Sequence, residues 1–207
     1  MSKEIDILSE YLPVNIAAEV WQLIKAEKKL VLKISKRRTT KLGDYRMLNY
    51  GRHQISVNYD LNPYQFLLTL LHELAHYYTY KKYGRRVKPH GAEWKQIFGD
   101  LINRFNRPDV FPEEIRPILK KYAQNPKAST SGDGKLFIEL SKYDTKKDDH
   151  MKYVFELLPG SLFKLENGQI FELKEKRRTR YACININNKR NYLIHQNAKV
   201  YPLENKS

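Results

Sequence analysis

The sequence predicts an α+β domain followed by a small all-β unit, and three observations predict it. Apolar residues recur at helical spacing over 13–29 and then alternate from Leu30 onward. A second helix is punctuated at both ends, by Asn62-Pro63 before it and Gly84 after it. Beyond residue 134 the chain breaks into short strand-like runs separated by turn signals.

In the first helix Val14, Ala17, Ala18, Trp21, Leu23 and Ile24 form the apolar face, and Pro13 suits a first helical turn. Leu30 to Ile34, Tyr45 to Tyr50 and Gln54 to Tyr59 are strand candidates. Lys41-Leu42-Gly43-Asp44 and Asn49-Tyr50-Gly51-Arg52 supply turns, so a small antiparallel sheet is expected. In the helix between Asn62 and Gly84, Phe66, Leu67, Leu70, Leu71 and Leu74 make a wide apolar face. A third helix runs from near His90-Gly91 to about Phe105, and a shorter one from Pro112 to Tyr122. Residues 124–134 read as a linker. The later runs are Leu136 to Leu140, Tyr153 to Leu157, Leu162 to Leu165, Ile170 to Leu173, Tyr181 to Ile186 and Tyr192 to His195. Pro159-Gly160 and Asn167-Gly168 are among the turns between them. The division expected is a domain at 1–123, a connector at 124–151 and a β domain at 152–207.

Composition excludes several classes. A hydrophobic share of 41% supports a packed core. No apolar run reaches bilayer-spanning length, and the N-terminus has no apolar signal core, so a soluble cytoplasmic protein without membrane contact is expected. One cysteine, Cys183, rules out an internal disulfide framework. The net charge of +15 divides into +9 over residues 1–123 (22 basic, 13 acidic) and +6 over 152–207 (11 basic, 5 acidic). A basic surface favours polyanions such as nucleic acid, although a solvated lysine-rich surface has the same composition. Three segments concentrate the charge: Lys33–Arg38, Arg85–Lys88 and Lys174–Arg180.

His72-Glu73-Leu74-Ala75-His76 matches H-E-x-x-H in mid-helix. A spacing of four puts both imidazoles on one face, where they can grip one ion. Glu73 follows His72 by about 100° of rotation, within reach of a water on that ion. Leu70, Leu71, Leu74 and Ala75 imply that this turn is buried, and buried histidines beside a glutamate need a partner. A catalytic zinc site uses three protein ligands. Of the remaining histidines, His90 stands where one helix has ended and the next begins, with thirteen residues separating it from His76 to bring it back. His53 and His195 lie in strand-like runs and read as surface or half-buried; His150 lies in a charged, solvated connector.

The stretches Gly51 to Asn58, Thr69 to His76, and Gly84 with Pro89-His90-Gly91-Ala92-Glu93-Trp94 resemble the SprT-like metallopeptidase family. That family includes the bacterial SprT proteins and the Spartan proteases that degrade proteins crosslinked to DNA. The resemblance covers about residues 10–122. It implies a zincin-like helical domain packed on a short antiparallel sheet, with His72, His76 and His90 as zinc ligands and Glu73 as catalytic base. SprT proteins commonly append a zinc ribbon with four cysteines. Here Cys183 alone could be a remnant ligand, so the β unit is expected to be a degenerate ribbon that folds without metal. Its core is expected from Phe155, Leu157, Leu162, Phe163, Leu165, Ile170, Phe171 and Tyr181, with Cys183 a buried small hydrophobe.

The expected function is zinc-dependent hydrolysis of peptide bonds through a metal-activated water, with Glu73 as general base and one zinc ion as cofactor. The substrates would be proteins, among them DNA-associated or DNA-crosslinked ones as the resemblance implies. The strand Gln54 to Tyr59 either offers an edge to an extended substrate or is plain sheet structure. A second reading is a nucleic-acid-binding or regulatory protein whose zinc site is structural or weakly active; a third is an amidase acting outside proteins. Fifteen tyrosines leave the oxyanion-stabilising residue unassigned.

Overall fold

Segments that alternate in polarity after position 30 fold as strands, and the segments of helical period pack over them. The computed structural model describes residues 2–38, 40–129, 132–144 and 150–203. The chain divides into two units, Met1–Asp144 and Thr145–Ser207. Among the described residues no helix is long and apolar enough to cross a membrane.

In the first unit the helix expected over 13–29 is shorter, α2 (Ala17–Lys25), and a helix the sequence reading missed, α1 (Lys3–Ser9), precedes it. Pro13 lies in the turn between them, where Asn15 takes a φ of 69°. Leu12 and Ile16 flank that turn and are buried, so the break serves the core. Three strands follow, β1 (Leu30–Ser35), β2 (Gly43–Met47) and β3 (His53–Asn58), in the order β1-β3-β2.

This sheet corrects the antiparallel expectation. β2 pairs antiparallel with β3, but β1 pairs parallel with it. β2 turns back through Tyr50 and Gly51, at φ of 59° and 64°, and β3 then inserts between β2 and β1. β1 and β3 therefore run the same way, with residues 36–52 as the crossover. Alternation specifies a strand but not its neighbour. β3 is central and paired on both sides, so it has no edge to offer a substrate; β2 has one.

Helix α3 (Pro63–Tyr83) is buried around most of its circumference, as a helix clamped between two layers must be. β2 and β3 pack on it from one side, and α4 (Ala92–Phe105) packs on it as well. Its N-cap, Asn62, accepts from the Gln65 amide at 3.0 Å. The same side chain donates to the Leu140 carbonyl and to the Asp144 carboxylate, both at 2.8 Å. Helix α5 (Arg116–Gln124) follows on α4. A Cβ on Gly99 would lie 2.4 Å from the Ala123 carbonyl oxygen, so only glycine allows that approach.

The run Leu136 to Leu140, expected as a strand, is helix α6 (Gly134–Ser141). Asp133 caps it by accepting from the Leu136 amide at 3.1 Å. Leu136 and Leu140 are buried in the core of the first unit, to which this part of the expected connector contributes.

Among its described residues the second unit is a β-sheet with one 3-10 turn, Val154–Glu156, which takes most of the run Tyr153 to Leu157 expected as a strand. β4 (Lys152–Tyr153), β5 (Leu162–Lys164), β6 (Ile170–Arg177), β7 (Arg180–Asn185), β8 (Asn191–His195) and β9 (Lys199–Leu203) form one sheet in the order β4-β9-β5-β6-β7-β8. Every pairing is antiparallel. Alternation selects the inward residues: Phe163, Phe171, Leu173, Tyr181, Cys183 and Val200 are buried together. Leu162 and Ile170, expected in this core, are neighbours of inward residues and only half-buried. Val154, Leu173 and Val200 fill their place. Cys183 is fully buried, as a small hydrophobe would be.

Candidate metal centre

Helix α3 brings His72 and His76 to one face a turn apart, and the loop after Gly84 returns His90 to them. Their three Nε2 atoms lie 3.2 Å (72 to 76), 3.0 Å (76 to 90) and 3.3 Å (72 to 90) apart. Each neutral imidazole has at most one N–H, directed along its own ring, so hydrogen bonding cannot satisfy a triangle of such nitrogens. A cation can. Tetrahedral ligands bound to zinc at about 2.0–2.1 Å stand about 3.3–3.4 Å from one another, close to what is seen here. Among the described residues this is the one cluster of three or more His, Cys, Asp or Glu side chains close enough to share an ion. The donor set fits a zinc site with three protein ligands.

Burial keeps the histidines neutral, as ligation requires. It lowers His72 to about 3, with His76 and His90 adding repulsion, and His76 to about 4, with His90 adding to it. His90 is lowered by burial as well.

The turn that presents His90 is built for it. Pro89 is the second residue of a β-turn closed by the Gly91 amide on the Lys88 carbonyl at 2.9 Å. His90 occupies the third position at φ 57°, where glycine is the usual choice. A side chain held there despite the strain marks a position kept for what the ring does. Trp94, one turn into α4, is fully buried beneath all three imidazoles, with ring centroids 4.8, 5.3 and 4.6 Å from His72, His76 and His90. Its indole nitrogen has no hydrogen-bond partner among the described residues.

Glu73 is buried next to this triangle, 6% exposed. Burial pushes its carboxyl up to about 8, the Asp44 charge adds to the rise, and Arg38, the Tyr45 amide and Lys41 oppose it. It lines a cleft of about 220 Å³ together with Leu42, Gly43, Thr69, His72 and Ala128. Buried Asn58 fixes the strand approach to this cleft. Its side-chain amide donates to the carbonyls of Arg38 (3.2 Å) and Lys41 (3.0 Å), and its backbone amide donates to that of Leu42 (2.9 Å).

The remaining sequence candidates fall elsewhere. His53 is buried, not at the surface, and its Nδ1 shares a hydrogen bond with the Tyr45 hydroxyl at 2.9 Å. Tyr45 also lies with its ring parallel to that of His76 at 6.4 Å. No sequence signal separated this tyrosine from the other fourteen. His150 is exposed, and His195 lies on β8 in the second unit. Of the basic segments, Arg38 is turned inward onto Asn58 and Ser56, and Arg37 pairs with Asp60 at 3.5 Å. Arg85, Arg86 and Lys88 are exposed on the loop that carries His90. Around β6 and β7, Lys176, Arg178 and Arg180 are exposed, and Arg177 pairs with Glu175 at 2.7 Å.

Residues 15–110 match the SprT-like family. A stretch of 54 residues is 44% identical to protein SprT of Vibrio parahaemolyticus serotype O3:K6 (strain RIMD 2210633). It spans 24% of this chain and about a third (32%) of that relative's length. No solved structure gives a significant match. The matched range holds all three histidines, Glu73 and the strands beside them, and this part of the chain is a SprT-like domain.

Proposed function

We propose that the protein is a zinc-dependent peptidase. One observation carries this reading: three imidazole nitrogens within 3.3 Å of one another beside a buried carboxylate that opens on a cleft. His72, His76 and His90 would hold the ion. A zinc ion supplies Lewis acidity, lowering the pKa of a water toward neutrality and polarising a carbonyl oxygen.

The chain's own residues do the rest. Glu73, kept out of bulk water, takes a proton from the attacking water and delivers it to the leaving amine nitrogen as the C–N bond breaks. Its raised proton affinity suits that transfer, and a nearby dication would draw it back toward an ordinary carboxylate. The Lys88–Gly91 turn and Trp94 fix the third imidazole and leave the cleft side open to a substrate.

The substrates we propose are proteins, including those bound or crosslinked to nucleic acid in the cytoplasm, in line with the exposed cations Arg85, Arg86 and Lys88 next to His90. The net charge of +15 also favours a second reading, a nucleic-acid-binding protein whose zinc is structural. A structural ion has no need of a buried carboxylate beside it, and Glu73 decides between the two. The test is cleavage of an unfolded protein by zinc-loaded wild type and Glu73→Gln, with and without single-stranded DNA, zinc content being measured in both. Cleavage by wild type alone supports the peptidase. Equal cleavage by both proteins removes Glu73 as base, and DNA binding without cleavage favours the second reading.

A further inference from the structure

Gly43 was expected in a turn, yet it is the first residue of β2. Its φ lies outside the left-handed region, so the backbone does not demand glycine there. Glycine inside a strand weakens it and marks a point of close approach. What approaches here is the carboxylate of Glu73. A Cβ on Gly43 would lie 2.6 Å from Glu73 Oε1, 2.9 Å from Glu73 Cγ and 2.7 Å from Thr69 Cγ2. Thr69 and Glu73 are four apart on α3 and share one stripe of it. The bare Cα of residue 43 is pressed onto that stripe.

Two residues on, the same strand supplies a donor. The Leu48 amide donates to the Arg52 carbonyl, and the Asn58 amide to that of Leu42, at the two ends of the β2–β3 pairing. Antiparallel ladders alternate, so residues 44 and 46 bond to β3 while 43, 45 and 47 turn their backbone to the open edge. The Tyr45 amide, on that open edge, faces the Glu73 carboxylate and favours its charged form. The tyrosine's other end is anchored by its hydroxyl on His53. β2 thus meets the carboxylate at two residues, once by a missing side chain and once by an amide on its open edge.

We propose that Gly43 and the Tyr45 amide are the positioning elements of the catalytic base, setting where the Glu73 carboxylate stands between the metal ligands and the cleft. The claim rests on the reading of Glu73 as base, and on geometry that can be measured without turnover. In Gly43→Ala the new methyl displaces the carboxylate. A shift on the order of 1 Å at a reacting group lowers kcat by about ten- to a hundredfold, with KM within about twofold and zinc content unchanged. Independently of activity, the Tyr45 amide loses the carboxylate it faces, and its hydrogen exchange, followed by NMR in the zinc-free protein, speeds up by at least about tenfold. Glu73→Ala, which leaves strand β2 untouched, should speed exchange of the same amide and covers the case in which Gly43→Ala does not fold.

Wild-type kcat in Gly43→Ala, or unchanged Tyr45 exchange in Glu73→Ala, overturns the proposal. So does full recovery of kcat in Gly43→Ala/Thr69→Ser, because the added methyl would then be meeting Thr69 alone. If zinc-loaded wild type cleaves nothing, the peptidase reading fails, and the exchange rates still decide whether β2 holds this carboxylate.

Discussion

The two units of this chain each bury a group that could bind metal, and they do so to opposite ends. In the first, His72, His76 and His90 converge to within 3.3 Å on a half-buried face, with a carboxylate alongside. In the second, Cys183 is buried alone, inside β7 among Phe171, Leu173 and Tyr181, its thiol donating to the Tyr181 carbonyl at 3.5 Å. Burial pushes that thiol up to about 11, away from the thiolate that a metal needs. The histidines are pushed the other way, and for an imidazole the neutral form is the ligating one. Burial thus readies one group for a metal and disarms the other; convergence of donors makes the difference between a site and a core.

The sharpest break in that comparison is Glu73→Gln, which should leave zinc bound and reduce cleavage by about 10²–10⁴-fold. Next, His90→Ala should weaken zinc by more than the about 10–100-fold that follows loss of a ligand's supporting partner, as measured by competition with a chelator. It should also abolish most of the rise in Tm that zinc gives wild type, while Cys183→Ala leaves that rise intact.

A smaller effect concerns the metal-free protein. The folded chain holds the Glu73 carboxyl near 8, above its ordinary 4.5, so the unfolded chain ionises first. Wild-type stability is then lost as pH rises from about 4.5 to about 8, and Glu73→Gln removes that slope. The metal-free variant should be more stable than wild type at pH 7.5, by on the order of 1–3 kcal/mol in denaturant melts. Smallest in functional terms is Cys183→Ser. It should cost about 1–3 kcal/mol by burying a hydroxyl in an apolar core, with zinc affinity unchanged. The native thiol should also stay unreactive toward a disulfide reagent at pH 8.

The parts of the site legible in the sequence are those set by local geometry. Two histidines four apart on a helix share a face whatever surrounds them, and Asn62-Pro63 with Gly84 delimits that helix by short-range chemistry alone. His90 was legible because the junction between two helices is close in sequence to both. What failed depended on distant partners. Strand order put β3 in the middle, and no periodicity records which strand lies beside which. Leu136 to Leu140 is a short apolar run, and such runs leave helix and strand undecided. Asp133 was a capping signal that could have settled it. Gly43 reads as a turn residue because glycine usually signals one; its steric purpose depends on Glu73, thirty residues away.

Asn62 sets how much of the chain the histidine site requires. The side chain that starts the ligand-bearing helix spends its amide hydrogens on the Leu140 carbonyl and the Asp144 carboxylate. Cutting the chain at residue 123, where the helical pattern first ends, would strip that cap of both acceptors and take Leu136 and Leu140 from the hydrophobic interior. Any excised fragment meant to keep the histidines in register has to run through Asp144.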